Sequence, residues 1–293
     1  MGPDPRAIVD ALHDWARDTD WVEWVELGGS LGRGAGDAFS DVDAGIGVTG
    51  LDDHALDGRV LQGDAADDRD PEAPAPEDAA PGDHASTGSA PTGPDPRAAE
   101  TLAAISAFAP LAARLEQRIG GLLHFVCVYE DGRQLSLVLF DAAARAGLAP
   151  QSTAVLDKTG RLAAPLDPGH WTPSGDELRE WTFLAWIDLG DAARHRHRDH
   201  PWRALRSLTD ARDHLWKLHA ARLGLTYPAF GAVTVENADA PPPPGIAATH
   251  PTGLGRNEFH TALTALAGLL DAHTGPDLRG LAAAIRPRFD LLA

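Results

Sequence analysis

The chain has 293 residues, 43% hydrophobic and 23% charged, with a formal net charge of −18 at pH 7. That length allows one large domain or two ordinary ones, and that hydrophobic content can build a true core. The acidity argues against nonspecific binding of nucleic acid, a single cysteine rules out intrachain disulfides, and no apolar run of about 18 residues offers a membrane span.

The N-terminal stretch MGPDPRAIVD lacks the basic-then-apolar order of a secretory signal, so a cytoplasmic protein is expected. Over residues 5–19 the apolar positions Ile8, Leu12, Trp15 and Ala16 recur at helical spacing, with Pro5 near the start. Trp21–Leu27 reads as a strand and ends in the turn Gly28-Gly29-Ser30. A spacer leads to Asp41 and Asp43, followed directly by the apolar run Ala44–Val48. If 41–48 is a strand, its two-residue period points Asp41 and Asp43 to one side. Two carboxylates there repel each other unless a cation lies between them. Hard oxygen ligands of this kind suit Mg²⁺, which keeps several waters and recruits phosphate oxygens. The glycine turn offers bare backbone N–H groups that can approach a triphosphate closely.

The ordered set of strand, Gly-Gly-Ser, spacer, Ser-Asp-x-Asp and apolar strand resembles the signature of the nucleotidyltransferase superfamily that includes DNA polymerase β. The matching positions are Gly29, Ser30, Asp41 and Asp43. The resemblance is close over about 20 residues and loose over the first 145. It implies transfer of a nucleoside monophosphate from a nucleoside triphosphate to a hydroxyl, with pyrophosphate leaving between two metal ions. Asp41 and Asp43 would then be catalytic metal ligands for Mg²⁺. Gly28, Gly29 and Ser30 would hold the phosphates. Arg33 has two readings, a phosphate-neutralising side chain or an exposed helix arginine.

Residues 62–96 are nearly free of large apolar side chains and rich in Pro, Asp, Gly, Ala and Ser, which reads as a disordered acidic insertion. Residues 52–100 hold 13 Asp+Glu against 3 Arg, so more than half of the net negative charge lies in that segment. Order is expected to resume near Asp95 to Ala98. Leu102, Ile105, Ala109, Leu111, Leu115 and Ile119 outline one helix, kinked at Pro110 and stopped by Gly120-Gly121. Leu122–Tyr129 and Gln134–Phe140 flank an Asp-Gly loop and read as a hairpin. Cys127, within the first of these runs, reads as a buried small hydrophobe. Two-metal members of the superfamily carry a third carboxylate on the strand corresponding to QLSLVLF, and the position expected to be Asp is Ser136. Asp141 at the strand's end is a candidate replacement; its other reading is an N-cap for residues 142–146. Glu130 and Asp131 in the hairpin are further candidates.

Beyond residue 150 the pattern turns helical. Ser174 and Glu177 have capping-box spacing before a helix reaching about residue 196, and Pro201 opens a second helix to about residue 223. Further helices are expected near 256–273 and 277–285. Asp188, Asp210 and Asp213 are candidates for a general base or for a solvated helix face. His195, His197 and His200 lie among arginines in RHRHRDH, which reads as a basic helix end complementing the helix dipole.

The expected fold is α+β. A nucleotidyltransferase domain over 1–150, built on a mixed sheet with flanking helices, precedes an all-α helical bundle over 151–293. The helical half also resembles that of the small-molecule, aminoglycoside nucleotidyltransferase-like branch. The expected function is Mg²⁺-dependent transfer of AMP from ATP, or of another nucleotide, to a small-molecule hydroxyl acceptor, with an aminoglycoside-like antibiotic as the branch's familiar acceptor. No nucleic acid or membrane partner is expected, and the oligomeric state stays open. Two alternatives stand beside this reading. One is a degenerate nucleotide-binding or regulatory module, favoured by Ser136. The other is a protein AMP transferase of the toxin–antitoxin type, disfavoured by the helical half.

Overall fold

A computed structural model of the protein describes residues 4–50, 95–119 and 122–293. The expected insertion at 62–96 lies almost wholly outside the described residues. The chain divides into two compact units, Met1–Asp167 and Pro168–Ala293. The first is α+β and the second is helical.

The first unit is a six-stranded mixed sheet in the order β3-β4-β5-β2-β1-β6. Helix α1 (Arg6–Asp18) buries the stripe Ile8, Leu12 and Ala16, one face of a 3.6-residue period. Strand β1 (Val22–Leu27) runs into the single helical turn α2 (Gly29–Gly32), and β2 (Val42–Val48) returns antiparallel to β1. Helix α3 (Pro96–Ser106) starts at Asp95, whose carboxylate accepts the Arg97 N–H. Strands β3 (Leu111–Ile119), β4 (Leu122–Tyr129) and β5 (Gln134–Asp141) form an antiparallel meander. β5 then lies parallel to β2, the one parallel pair of the sheet among the described residues. β6 (Thr153–Asp157) completes the far edge against β1.

Two elements differ from expectation. The single helix expected over 102–119 is α3 followed by a strand. Leu111, Leu115 and Ile119 lie four apart, and that spacing keeps side chains on one side of a strand as readily as on one side of a helix. Pro110 decides between them: it ends the helical segment instead of kinking it. Ile119 pairs with Leu122; Gly120-Gly121, expected to stop a helix, lie outside the described residues. Strand β6 was not expected. Because it belongs to the sheet, the division between units falls after Asp167 and not at residue 150.

Alternation gives the sheet two different faces. Val25, Leu27, Ala44, Ile46, Leu135, Leu137, Leu139, Phe125 and Cys127 point to one face and form the main core with α1 and α3. The other face carries Glu26, Trp24, Asp43, Ser136, Phe140 and His124. Gly45 and Gly47 lie on this second face, where a Cβ would come within 2.9 Å of Phe140 and 2.1 Å of Trp24. Bare backbone there lets the two rings lie on the strand. Trp24 packs with Ala142, Leu162, Phe140 and Leu148 as a small second core. Arg145 spans it, 5.4 and 5.1 Å from the Trp24 and Phe140 rings, and grips Glu26 with two hydrogen bonds of 2.5 and 2.7 Å.

The second unit centres on α4 (Gly175–His197) and α5 (Pro201–Arg222), joined by a short turn, with α6 (Ala232–Asn237), α7 (Arg256–Leu270) and α8 (Arg279–Ile285). The capping box forms: Ser174 Oγ accepts the Glu177 N–H and Glu177 accepts the Ser174 N–H. Trp186, Leu189, Leu208, Leu215, Phe259, Leu263, Leu266 and Leu270 form its core. Among the described residues no helix is long and apolar enough to cross a membrane.

Candidate functional site

The Gly-Gly-Ser turn and the acidic strand are built against each other. Gly28 N–H donates to the Asp43 carbonyl at 2.8 Å, so the turn leaves β1 hydrogen-bonded to the start of β2. Gly29 takes φ +59°, and a Cβ there would lie 2.2 Å from Asp43 Oδ2. The backbone can turn this tightly beside a carboxylate only without a side chain. Gly32 N–H closes the turn on the Gly28 carbonyl at 2.7 Å. The first-turn amides of Gly29, Ser30 and Leu31 precede any intrahelical acceptor.

Ser30 locks the spacer. Its hydroxyl donates to Ser40 Oγ at 2.8 Å, and Ser40 Oγ also accepts the Asp37 N–H at 2.9 Å. Phe39 N–H donates to Asp37 Oδ1. The loop before Asp41 is therefore tied to the glycine turn, and the Ser30 proton is committed to that tie. What Ser30 offers a ligand is its backbone N–H.

Asp41 and Asp43 flank the buried Val42, both on the solvent-accessible side. Protein packed around Asp43 pushes its carboxyl above the ordinary carboxylate range, and the charge of Asp41 adds to this; His124 and Arg33 pull the other way. Arg33 stands at the C-terminal end of α2 and carries the local positive charge. Two crowded like charges next to a donor-rich turn fit a hard divalent cation, completed by water and phosphate oxygens. Among the described residues no group of three or more His, Cys, Asp or Glu side chains is arranged to hold a metal; Asp41 and Asp43 are a pair.

Ser136 stands directly beside Asp43 in the parallel β2–β5 register, at the position where the superfamily resemblance implies a carboxylate. Its hydroxyl meets His124 Nε2 at 2.8 Å, and Gln117 Nε2 meets His124 Nδ1 at 2.9 Å. Burial holds the His124 imidazole below its ordinary pKa, partly offset by Asp43. Sequence reading missed His124 and Gln117, because only the pairing of β3, β4 and β5 brings them to Ser136.

Asp141 does not join the site. It stands beside Val48 at the opposite end of β2, roughly 16 Å along the strand from Ser136 at about 3.3 Å per residue. It is buried on the core-side parity and accepts the Ala143 N–H, the local capping alternative considered for it. Asp131 is held by Arg133 within its own hairpin.

The helical unit has its own titratable cluster. Burial, aided by Asp210 and Asp191, pushes Asp188 up to about 7. Burial, aided by Lys217, pushes His214 down to about 4. Their nearest atoms are 3.7 Å apart, too far for a hydrogen bond, and between these two values both are neutral. Burial, then Asp210, also raises Asp213. His195 and His197 lie in the basic last turn of α4, and His200 holds the N-cap position of α5 without a side-chain capping bond.

No family model matches the chain and no curated protein matches it. Among solved structures it is similar to the crystal structure of an aminoglycoside 6-adenyltransferase from Bacillus subtilis, at 13% identity and TM-score 0.35, over 99% of this chain and 98% of that one. A likeness of that size fixes neither activity nor substrate.

Proposed function

We propose that the first unit is a Mg²⁺-dependent nucleotidyl-transfer centre, moving a nucleoside monophosphate, AMP from ATP in the simplest case, to a hydroxyl of a small molecule in the cytoplasm. The observation that carries this reading is the pairing of opposites: the Asp43 carboxylate, raised by its neighbour Asp41, lies against a glycine turn that is hydrogen-bonded to its strand. One cation bound by the carboxylates would neutralise triphosphate charge and polarise the attacking oxygen. Gly28, Gly29 and Ser30 would hold phosphate oxygens through backbone N–H groups, and Arg33 would offset their charge. An aminoglycoside-like polycation is the acceptor suggested by the sequence resemblance, and the net charge of −18 suits it.

The test is pyrophosphate release from labelled ATP across a panel of hydroxyl acceptors. Release that depends on acceptor and Mg²⁺ is expected, and an Asp41→Ala/Asp43→Ala variant with full activity would sink the site. The second reading, a nucleotide-binding module without turnover, is favoured by Ser136 where a carboxylate is called for. It predicts binding of Mg²⁺ and nucleotide with no pyrophosphate from any acceptor.

A further inference from the structure

Three side chains on the open face of the sheet have no part in the chemistry just proposed. Gln117, His124 and Ser136 sit on the consecutive strands β3, β4 and β5 and join hands across them, at 2.9 Å and then 2.8 Å. The last of them stands beside Asp43.

This chain of contacts has a direction. The Gln117 amide N–H donates to His124 Nδ1. A neutral imidazole that accepts at Nδ1 carries its proton on Nε2, so His124 donates to Ser136 Oγ. A hydroxyl oxygen whose lone pair is taken by His124 retains its own hydrogen for another partner. Ser136 is only half-buried whereas His124 is 7% exposed, so the accessible end of the relay is the serine hydroxyl. That polarity is the reverse of a metal ligand. A carboxylate here would accept only and would complete a triad of ligands with Asp41 and Asp43. A hydroxyl backed by an imidazole N–H donates, and a donor is matched by an anionic oxygen.

We propose that the Gln117–His124–Ser136 relay makes this a one-cation site, in which the Ser136 hydroxyl donates to an α-phosphate oxygen of a bound nucleoside triphosphate at the place a second cation would otherwise occupy. This rests on the nucleotide reading above. Ser136 touches the substrate; His124 and Gln117 are positioning residues that act through it. A hydrogen bond to a charged oxygen is worth roughly a tenfold change in affinity.

The test uses the full chain, Mn²⁺ and a non-hydrolysable nucleoside triphosphate. Electron paramagnetic resonance should count one bound Mn²⁺ in the wild type and two in Ser136→Asp. Ser136→Ala should bind the triphosphate about tenfold more weakly with pyrophosphate binding unchanged. Nitrogen NMR of the His124 ring should report the Nε2–H tautomer. Two Mn²⁺ ions in the wild type, an Nδ1–H ring, or a Ser136→Ala variant that binds triphosphate normally would each overturn the relay and leave the nucleotide reading standing. A wild type that binds no triphosphate with Mn²⁺ overturns both.

Discussion

Gly29 and Asp43 leave each other no spare room: a Cβ on Gly29 would come 2.2 Å from Asp43 Oδ2, and Gly29 already holds φ +59°. Gly29→Ala must therefore accept a left-handed backbone, costing about 1–2 kcal/mol, and must also push the Asp43 carboxylate aside. Both a lower Tm and a weaker Mn²⁺ titration are expected. An alanine variant with wild-type Mn²⁺ binding would show that the carboxylate's position does not depend on the bare turn.

The mutual repulsion of Asp41 and Asp43 makes a prediction about the cation-free protein. Asp43 has its folded-state carboxyl raised above 3.8, with Asp41 as one cause. A raised carboxyl binds more protons folded than unfolded, so its contribution to stability is lost as pH rises through the folded value. Asp41→Asn relieves part of that. Without divalent cation at pH 7, Asp41→Asn should melt above the wild type; with Mg²⁺ and nucleotide the order should reverse, because only the wild type gains from binding. Thermal scans with and without Mg²⁺ and nucleotide check both halves.

The Glu26–Arg145 grip closes the other end of the open face. The two side chains are 9% and 14% exposed, so removing one strands the other. Arg145→Met should cost about 3–5 kcal/mol and also loosens the Trp24–Phe140 packing beneath the guanidinium. Pairing it with Glu26→Gln should recover part of that loss, since no charge is then left buried. Urea denaturation of the two single variants and the double variant measures the coupling.

The helical unit should show opposing pH slopes. Asp188, raised from 3.8 to about 7, binds its proton more tightly when folded, so its contribution falls as pH climbs from about 4 to about 7. His214, lowered from 6.5 to about 4, is charged more readily when unfolded, so its contribution rises from about pH 4 to 6.5. In the wild type the two largely cancel. Asp188→Asn should gain stability across that window relative to the wild type's profile, and His214→Gln should lose it. Denaturant midpoints from pH 4 to pH 7 decide the matter; parallel profiles for the two variants would contradict it.

Much of this was legible from the residues. Helix α1, strands β1 and β2, the β4–β5 hairpin and the start of α4 at Ser174 carry their own local signals: a 3.6 or 2.0 period, an Asp-Gly loop, a capping box. The Asp41–Asp43 pair was legible because strand parity alone puts both on one side. Strand β3 was not, since residues spaced by four satisfy both periods. Strand β6 is short and half exposed, and its existence depends on β1 offering a free edge. His124 and Gln117 escaped notice because an isolated histidine or glutamine on an apolar run carries no signal until register gives it a neighbour. Asp141 failed for the matching reason: its type was right, but the β2–β5 register put it beside Val48 instead of Asp43.

The parallel pairing of β2 with β5 also dictates when the site can exist. Asp43 and Ser136 are register partners in the sheet but are separated in sequence by the whole acidic stretch and by α3, β3 and β4. Closing a longer loop costs only about 0.6 kcal/mol more for each doubling of its length, so the separation in sequence is a small thermodynamic burden. Speed is another matter, because non-local pairings of this kind form slowly. As the chain is synthesised, the carboxylates and their glycine turn emerge before β5 and β6, as an antiparallel hairpin whose two edges those strands later fill. They wait there, acidic and unpaired, until β5 arrives to turn a hairpin into a site.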